Sequence, residues 1–270
     1  MKIALIDSGL GLLPAAAALR TLRPDADLVL SSDPDGMPWG PRTGADIAEH
    51  ALDCARAAAE YRPDALIVAC NTASVHALEV IRAELEPVGI PVIGTVPAIK
   101  PAAAAALSTA GGPVAIWATP ATTGSSYQRG LIRDFAGGVD VTEIPCPGLA
   151  DAVERADEAA VTEAVAAAAA RTPVRTRVVV LGCTHYELLH APIRAALGAS
   201  LGAELGAVPT LYGSAQAVAG QALRRAAPDA VATLGGSTLT VLRSGRTEQL
   251  PPAALRYREG RMLLGADLPV

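Results

Sequence analysis

Two cysteines occupy matching places in the sequence, each directly after a short apolar run. Cys70 follows residues 66–69, and Cys183 follows residues 178–182. Such runs are typical of buried parallel strands, and open α/β sheets bind their ligands at the C-terminal ends of their strands. The sequence therefore predicts a functional site that contains two thiols.

Two thiols on opposite sides of a small ligand could invert a stereocentre. One would remove a proton from one face of a carbon, and the other would return a proton to the opposite face. Each group has to reach the carbon-bound proton, and a thiol suits this task because neighbours can move its pKa of about 8.5 towards neutrality. Asp7, after a neighbouring strand, and His185 are the candidate neighbours.

The elements that must position these thiols repeat along the chain. Residues 4–8 match residues 115–119 at an offset of 111, and Cys70 matches Cys183 at an offset of 113. Strands that alternate with helices favour parallel sheets. We therefore expect an α/β fold of two similar flavodoxin-like parallel-sheet lobes, related by pseudo-twofold symmetry, with the active site in the cleft between them.

Individual elements follow from periodicity and from breaking residues. Residues 31–41 are rich in proline, glycine and aspartate and form a loop, in which Trp39 either faces a substrate as a wall or packs inside a solvated turn. We also expect helices over residues 74–85, 151–171 and 191–197, a strand over residues 208–211 and an edge strand over residues 239–242.

Composition excludes several classes of protein. Of the 270 residues, 51% are hydrophobic and 18% are charged, which provides for a large core. The net charge is −5 and no block of basic residues is present, so we expect no nucleic-acid partner. The apolar stretch before Asp7 is too short for a signal peptide, and no run of about twenty apolar residues predicts a membrane span. We expect a cytoplasmic protein.

The cysteine pattern indicates neither disulfides nor a metal site. Four cysteines are present, at positions 54, 70, 146 and 183, and none forms a Cys-x-x-Cys pair. A zinc site would need clustered ligands, which only Cys183 and His185 approach. Cys54 lies in an alanine-rich helical pattern, where a cysteine is usually a small buried apolar residue.

A set of short motifs resembles the glutamate racemases of the cofactor-independent aspartate/glutamate racemase superfamily. The resemblance runs from residue 1 to about residue 225, in the order and spacing of the family. The motifs that carry it are Asp7-Ser8-Gly9, Pro38-x-Gly40, Cys70-Asn71-Thr72-Ala73-Ser74, Thr119-x-x-Thr122, Cys146-Pro147 with Glu154, and Gly182-Cys183-Thr184-His185-Tyr186.

The resemblance implies a two-base racemase that makes D-glutamate for peptidoglycan without a cofactor or a metal. Cys70 and Cys183 would be the proton donor and acceptor pair, Asp7 and His185 would assist them, and Glu154 would be a further acid of the catalytic site. The residues implied to bind the amino-acid substrate are Ser8, Trp39, Gly40, Asn71, Thr72, Thr119, Thr122 and Thr184.

The resemblance also implies a discontinuous first lobe and a homodimer. Residues 1–96 and 208–270 would form the lobe that carries Cys70, and residues 97–207 would form the lobe that carries Cys183.

Several positions differ from the usual pattern of the glutamate racemases. Residues 32–36 replace Gly-Asp-Thr-Ala-Arg, Trp39 replaces a tyrosine, Glu187 replaces a proline, and residues 212–214 replace Asp-Ser. Asp35 adds a negative charge to a loop expected to face a carboxylate. The cysteine pair is intact, whereas the substrate wall is altered.

Four alternatives therefore stay open beside glutamate racemisation. The chain could racemise another acidic or modified amino acid, or it could be a non-catalytic relative that binds an acidic ligand or a protein partner. A decarboxylase or isomerase of the superfamily is the third, but its one-cysteine mechanism would leave the second cysteine motif unexplained. A hydrolase built on Cys183 and His185 is the fourth, but two residues that share a direction do not by that alone orient a base against its nucleophile.

Overall fold

The computed structural model describes residues 1–108, 112–226 and 237–265. The chain divides into two compact units, one made of Met1–Val96 with Ala215–Val270 and the other of Pro97–Ser214. The strands of the described residues are β1 (Lys2–Asp7), β2 (Asp27–Ser32), β3 (Ala65–Val68), β4 (Val92–Gly94), β5 (Val114–Ala118), β6 (Val141–Pro145), β7 (Val178–Leu181), β8 (Thr210–Tyr212), β9 (Leu239–Arg243) and β10 (Arg246–Glu248).

The helices alternate with these strands, and short 3₁₀ turns cover Leu10–Leu12, Glu86–Val88, Thr184–Leu189 and Pro252–Arg256. The α-helices are α1 (Leu13–Leu22), α2 (Gly44–Ala59), α3 (Asn71–His76), α4 (Leu78–Leu85), α5 (Ile99–Ser108), α6 (Ser126–Phe135), α7 (Leu149–Glu154), α8 (Glu158–Arg171), α9 (His190–Leu205), α10 (Ala215–Ala226) and α11 (Arg258–Leu263). Among the described helices, none combines the length and apolar character that a membrane crossing requires.

The first unit contains a six-stranded sheet in the order β10-β9-β2-β1-β3-β4. Its strands pair in parallel, except that β10 returns antiparallel to β9. The central strands β1 and β3 consist almost entirely of buried residues, as expected for a sheet covered on both faces. Helices α1, α10 and α11 pack together in this unit, and Trp39, Ile47, Val68 and Cys70 belong to one buried cluster.

The second unit contains a four-stranded parallel sheet in the order β6-β5-β7-β8. This order repeats β2-β1-β3-β4 of the first unit, so β7 corresponds to β3 and β5 to β1. The expected α/β fold with a flavodoxin-like parallel sheet in each half is confirmed. Ile99, Val114, Ile116 and Val180 are among the residues of its core.

One expected boundary is wrong. Residues 208–214, expected in the first lobe, belong to the second unit because β8 pairs in parallel with β7. The strand expected over residues 208–211 lies at Thr210–Tyr212, and the helix expected over residues 191–197 extends over His190–Leu205.

Two expected helices are each divided in two. The helix expected over residues 151–171 is split into α7 and α8, because Ala156 adopts a positive φ of 51° and the Asp157 side chain then caps α8 by accepting from the Ala160 N–H at 3.0 Å. The helix expected over residues 74–85 is split at Ala77, and its first part begins earlier, at Asn71.

The two edges of the six-stranded sheet are both modified. The edge strand expected over residues 239–242 is instead the second strand, since β10 pairs outside it. At the other edge, Val92 of β4 has its outward groups bonded by side chains: its N–H donates to Glu86 at 3.3 Å, and its carbonyl accepts from Arg82 at 3.4 Å and Arg225 at 3.3 Å.

Candidate active site

The first thiol lies where β3 ends and α3 begins. Cys70 is the N-cap residue of α3, in an extended conformation with φ −110° and ψ 126°, and it is 8% exposed. Because β3 lies between β1 and β4, this position is at the C-terminal end of an interior strand, where ligands of open α/β sheets bind.

Asp7 and Ser8 follow the neighbouring strand. The Ala69 N–H donates to the Ile6 carbonyl at 2.8 Å, so the ends of β1 and β3 stay side by side. Asp7 is completely buried, and its Oδ1 accepts from the Gly9 N–H at 2.8 Å and from the Ser8 hydroxyl at 3.3 Å. These hydrogen bonds replace the bonds to water that the carboxylate loses on burial.

Two further hydroxyls brace the turn that carries Cys70. The carbonyl of Val68 accepts from Thr95 Oγ1 at 2.8 Å and from Ser74 Oγ at 3.2 Å, and Ser74 Oγ accepts from the Thr95 N–H at 2.8 Å. Thr95 was not predicted as a site residue; its position just after β4 is the signal that could have identified it. Of the predicted binding residues, Asn71 is buried and Thr72 is half-buried in the first turn of α3.

The second thiol occupies the corresponding position in the other sheet. Cys183 is the N-cap residue of the 3₁₀ turn Thr184–Leu189, with φ −134° and ψ 134°, and it is half-buried. The N–H of Gly182, the preceding residue, donates to the Trp117 carbonyl at 2.7 Å, and a Cβ at Gly182 would lie 2.8 Å from that oxygen. Only glycine therefore permits this close approach at the end of β7.

His185 and Glu154 form a chain of polar contacts that leads to Cys183. The Cys183 sulfur lies 3.8 Å from His185 Nδ1, and His185 Nε2 lies 3.1 Å from Glu154 Oε2. If the imidazole proton is on Nε2 and donates to Glu154, Nδ1 is free of a proton and can accept one from the thiol. The structure thus brings together three predicted catalytic residues as a thiol, a base and an orienting acid.

Thr119 and Thr122 lie together at the end of β5. Their hydroxyl oxygens are 3.1 Å apart, and both residues are half-buried. Glu143, which was not predicted, accepts from the Gly124 N–H at 2.9 Å and from the Gln128 side-chain amide, and it therefore holds the loop that follows Thr122. Thr184, the remaining predicted binding residue of this unit, is buried.

The two other cysteines are buried thiols that stay protonated. Burial, together with the nearby Cys183, raises the pKa of Cys146 to about 12, and burial raises the pKa of Cys54 to about 12. The Tyr186 hydroxyl donates to the Cys146 carbonyl at 3.3 Å, and burial holds the pKa of Tyr186 well above its ordinary value. These groups are neutral near pH 7, and Cys146 and Tyr186 lie near Cys183.

Trp39 is placed as a packing residue. It is 1% exposed, and its indole N–H donates to Asp33 Oδ2 at 3.0 Å, an oxygen that also lies 2.8 Å from His50 Nδ1. This placement corresponds to the packed alternative, and a contact between Trp39 and substrate stays a prediction. Gly40 next to it is half-buried, and a Cβ there would meet nothing within 4 Å.

The charge of Asp35 lies at the surface. Its carboxylate is 3.0 Å from the Arg246 guanidinium, and the two side chains are 63% and 59% exposed. A solvated and paired acid has little electrostatic effect at a distance. The described residues contain no group of three or more His, Cys, Asp or Glu side chains arranged to hold a metal ion.

Comparison with known proteins places the chain in a family. The sequence profile of the Asp/Glu/Hydantoin racemases matches residues 13–222. The chain belongs to the Asp/Glu/hydantoin racemase family. This confirms the resemblance that the motifs indicated.

Individual members of the Asp/Glu/hydantoin racemase family are similar over most of their length. Glutamate racemase of Sphingopyxis alaskensis is 37% identical over 204 residues, which cover 73% of this chain and 74% of that protein. Glutamate racemase of a Roseiflexus species is 37% identical over 202 residues, or 73% and 71% of the two chains. The structure of Escherichia coli glutamate racemase with L-glutamate and the activator UDP-MurNAc-Ala aligns with a TM-score of 0.76 at 26% identity, covering 98% of this chain and 94% of that one.

Proposed function

We propose that this protein interconverts L- and D-glutamate by a two-base proton transfer that needs no cofactor, and thereby supplies D-glutamate for peptidoglycan. The observation that carries the proposal is the matched placement of Cys70 and Cys183, each two residues after the end of an interior strand of its own sheet and at the N-cap of the helical turn that follows. Relatives named glutamate racemase at 37% identity, and a similar structure with L-glutamate bound, support glutamate as the substrate.

In the proposed reaction, one cysteine as a thiolate takes the Cα proton and the other as a thiol gives a proton to the opposite face. The Cα–H electron pair stays on the substrate until the new C–H bond forms, so there is no net oxidation or reduction. After each turnover the two cysteines have exchanged protonation states, and the reverse direction uses them in the opposite roles.

Each cysteine has its own assisting groups in this proposal. His185, held by Glu154, takes the proton of Cys183 and returns it, which prepares the thiolate or the thiol as the direction requires. Asp7 serves the same purpose beside Cys70. The hydroxyl and amide groups proposed to hold the substrate are those of Ser8, Asn71, Thr72, Thr119, Thr122 and Thr184.

The decisive test follows optical activity with purified, reduced protein. We expect circular dichroism to fall to zero from either L- or D-glutamate without added cofactor, and we expect Cys70→Ser and Cys183→Ser to abolish this turnover. Cys54→Ala, at a cysteine outside the site, is the control and should racemise. Stable optical activity of both enantiomers with folded protein would refute glutamate as the substrate.

Racemisation of another acidic or modified amino acid is the second candidate, because residues 32–36 and Trp39 depart from the glutamate racemase pattern. Deuterium incorporation at Cα, measured over a panel of enantiopure amino acids, separates the two candidates. Exchange with glutamate alone would exclude the second. A ligand-binding relative would instead keep its affinity in both serine variants.

The assembly and location that we propose are a homodimer in the cytoplasm. Light scattering of the purified protein gives the molar mass, and a value near 27.3 kDa, that of one chain, would exclude the dimer.

A further inference from the structure

Glu187 is a buried acid in the same turn as His185. It lies two residues after His185 in the 3₁₀ turn Thr184–Leu189, all of whose residues are buried, and it is itself 6% exposed. A carboxylate is rarely placed inside a protein unless its oxygens are hydrogen-bonded, because burial removes its hydration. Its partners therefore indicate what this side chain does.

The partners of Glu187 lie on the segment that leaves β8. Its Oε1 accepts from the Ser214 N–H at 2.7 Å and from the Ser214 hydroxyl at 2.7 Å. A Cβ at Gly213 would lie 2.3 Å from Glu187 Oε2, so a residue without a side chain is needed beside the carboxylate. Ser214 is the last residue of the second unit before the chain returns to the first.

The turn that holds Glu187 is a 3₁₀ turn. Hydrogen bonds in 3₁₀ turns have poorer geometry than those in α-helices, and the Cys183 carbonyl accepts from the Tyr186 N–H at 3.0 Å. The 3.8 Å between the Cys183 sulfur and His185 Nδ1 is near the limit of a hydrogen bond to sulfur. A small displacement of the turn would therefore separate the thiol from its base.

We propose that Glu187 is a positioning residue that holds His185 and Cys183 in register by fixing their turn to Gly213 and Ser214. The inference rests on the proposed racemisation for its kinetic consequence. Its structural content, that the carboxylate keeps the imidazole near the thiol, can be tested separately.

The kinetic test uses the isotope effect in each direction. Glu187→Ala should lower kcat about ten- to a hundredfold, as expected for a misplaced catalytic group, with a smaller change in KM. With Cα-deuterated enantiomers, the primary isotope effect on kcat/KM should rise for the enantiomer whose proton Cys183 removes and should not rise for the other, for which Cys183 delivers a proton after the Cα–D bond is broken. Slowing proton removal by one base makes that step more rate-limiting in one direction only.

Two variants accompany this measurement. Glu187→Gln keeps an oxygen that can accept from both Ser214 donors, so kcat should stay within about fivefold of the unaltered protein. Glu163→Ala makes the same deletion at an exposed position of α8 and should leave kcat and both isotope effects unchanged. The proposal would be overturned if Glu187→Ala lowered kcat equally in both directions without changing the isotope effects, or if Glu187→Gln were as slow as Glu187→Ala.

A chemical test needs no turnover. Alkylation by iodoacetamide reports the thiolate, and mass spectrometry can follow each cysteine in one sample. Glu187→Ala should slow the alkylation of Cys183 about fivefold or more, while Cys70 serves as the internal reference. An unchanged or faster reaction at Cys183 would refute the positioning role even if glutamate were not the substrate, whereas unaltered protein that fails to racemise glutamate would refute only the proposed function.

Discussion

His185 has both of its ring nitrogens near a partner, and this sets its protonation pattern. Nε2 lies 3.1 Å from the Glu154 carboxylate and Nδ1 lies 3.8 Å from the Cys183 sulfur. A carboxylate can only accept, so Nε2 carries a proton and Nδ1 of the neutral ring is the acceptor. A carboxylate or a backbone carbonyl often determines the tautomer of a functional histidine in this way.

Removing the Glu154 carboxylate should abolish the preference of His185 for a proton on Nε2. In Glu154→Ala we expect a mixture of the two neutral tautomers of His185 and a fall in kcat of about ten- to a hundredfold, because part of the population presents an N–H to the thiol. ¹⁵N NMR of the imidazole gives the tautomer, and initial rates give kcat. Glu163→Ala is the matched control, and an unchanged tautomer would contradict the assignment.

Trp39 should contribute to stability through its indole N–H as well as its bulk. Trp39→Phe retains a buried ring but removes the donor to Asp33 Oδ2. We expect a loss of about 1–3 kcal/mol in the free energy of unfolding, which is the usual effect of removing one partner of a buried, charged acceptor. Urea denaturation followed by circular dichroism measures it.

A double-mutant cycle provides the control for this effect. If the bond to Asp33 is responsible, Trp39→Phe should have a smaller effect in an Asp33→Ala background, which lacks the acceptor, than in the unaltered protein. Equal effects in both backgrounds would assign the loss to ring packing.

At the level of elements, the sequence predicts the strands well and the helix ends poorly. The apolar runs at residues 66–69 and 178–182 are buried strands with a cysteine after each, as expected. The alanine-rich stretch over residues 151–171 hid the break at Ala156, since a positive φ at an alanine has no sequence signal. Cap residues such as Asp157 can be identified once the break is known.

The sequence predicts only part of the site, because some of its residues act through contacts that local sequence patterns do not show. Residues adjacent in sequence to a thiol, such as His185, follow from the motif, and Glu154 came from the family resemblance. Glu143 and Ser214 act through contacts between elements that are distant in sequence. Single-sequence periodicity carries no information about such contacts, so these residues emerge from the structure alone.

The pairing of β2 with β9 should depend on pH through Asp27. Its Oδ1 accepts from the Thr238 hydroxyl at 2.6 Å and the Thr238 N–H at 2.8 Å, and the Thr238 hydroxyl, followed by that N–H, lowers the pKa of Asp27. A lowered carboxyl pKa contributes stability above the ordinary value of about 3.9, and this contribution is lost as pH falls through the folded-state pKa.

Asp27→Asn should therefore destabilise the protein at pH 7 by about 0.5–1 kcal/mol, and the difference from the unaltered protein should shrink below about pH 4. Urea unfolding at pH 7 and pH 3 measures both values. Glu49→Gln, at an exposed position of α2, is the control and should have little effect at either pH. The same difference at pH 7 and pH 3 would contradict the role of the Asp27 charge.

At the level of the whole molecule, the two units differ in how the chain builds them. Pro97–Ser214 is continuous, whereas the other unit needs both ends of the chain. Helix α1, buried from Leu13 to Arg20, packs on α10 and α11, and β2 pairs with β9. The N-terminal part therefore cannot complete its core without the C-terminal part.

A chain that ends at Ser214 should show this dependence directly. We expect hydrogen exchange to lose most of its protection over residues 1–96, because the packing face of α1 and one edge of β2 become exposed. Residues 114–118 and 178–181 should stay protected, since their sheet lies within the continuous unit. Retained protection over β1 and β2 would contradict the interpretation.

The modified edges of the six-stranded sheet have a consequence for assembly. An open edge offers N–H and C=O groups as a template on which a foreign strand can add. On β4, Glu86, Arg82 and Arg225 already occupy the outward groups of Val92. On the opposite side β10 is three exposed residues long and carries Arg246 and Glu248. Strand addition, and the aggregation it seeds, is therefore disfavoured on both sides of this sheet.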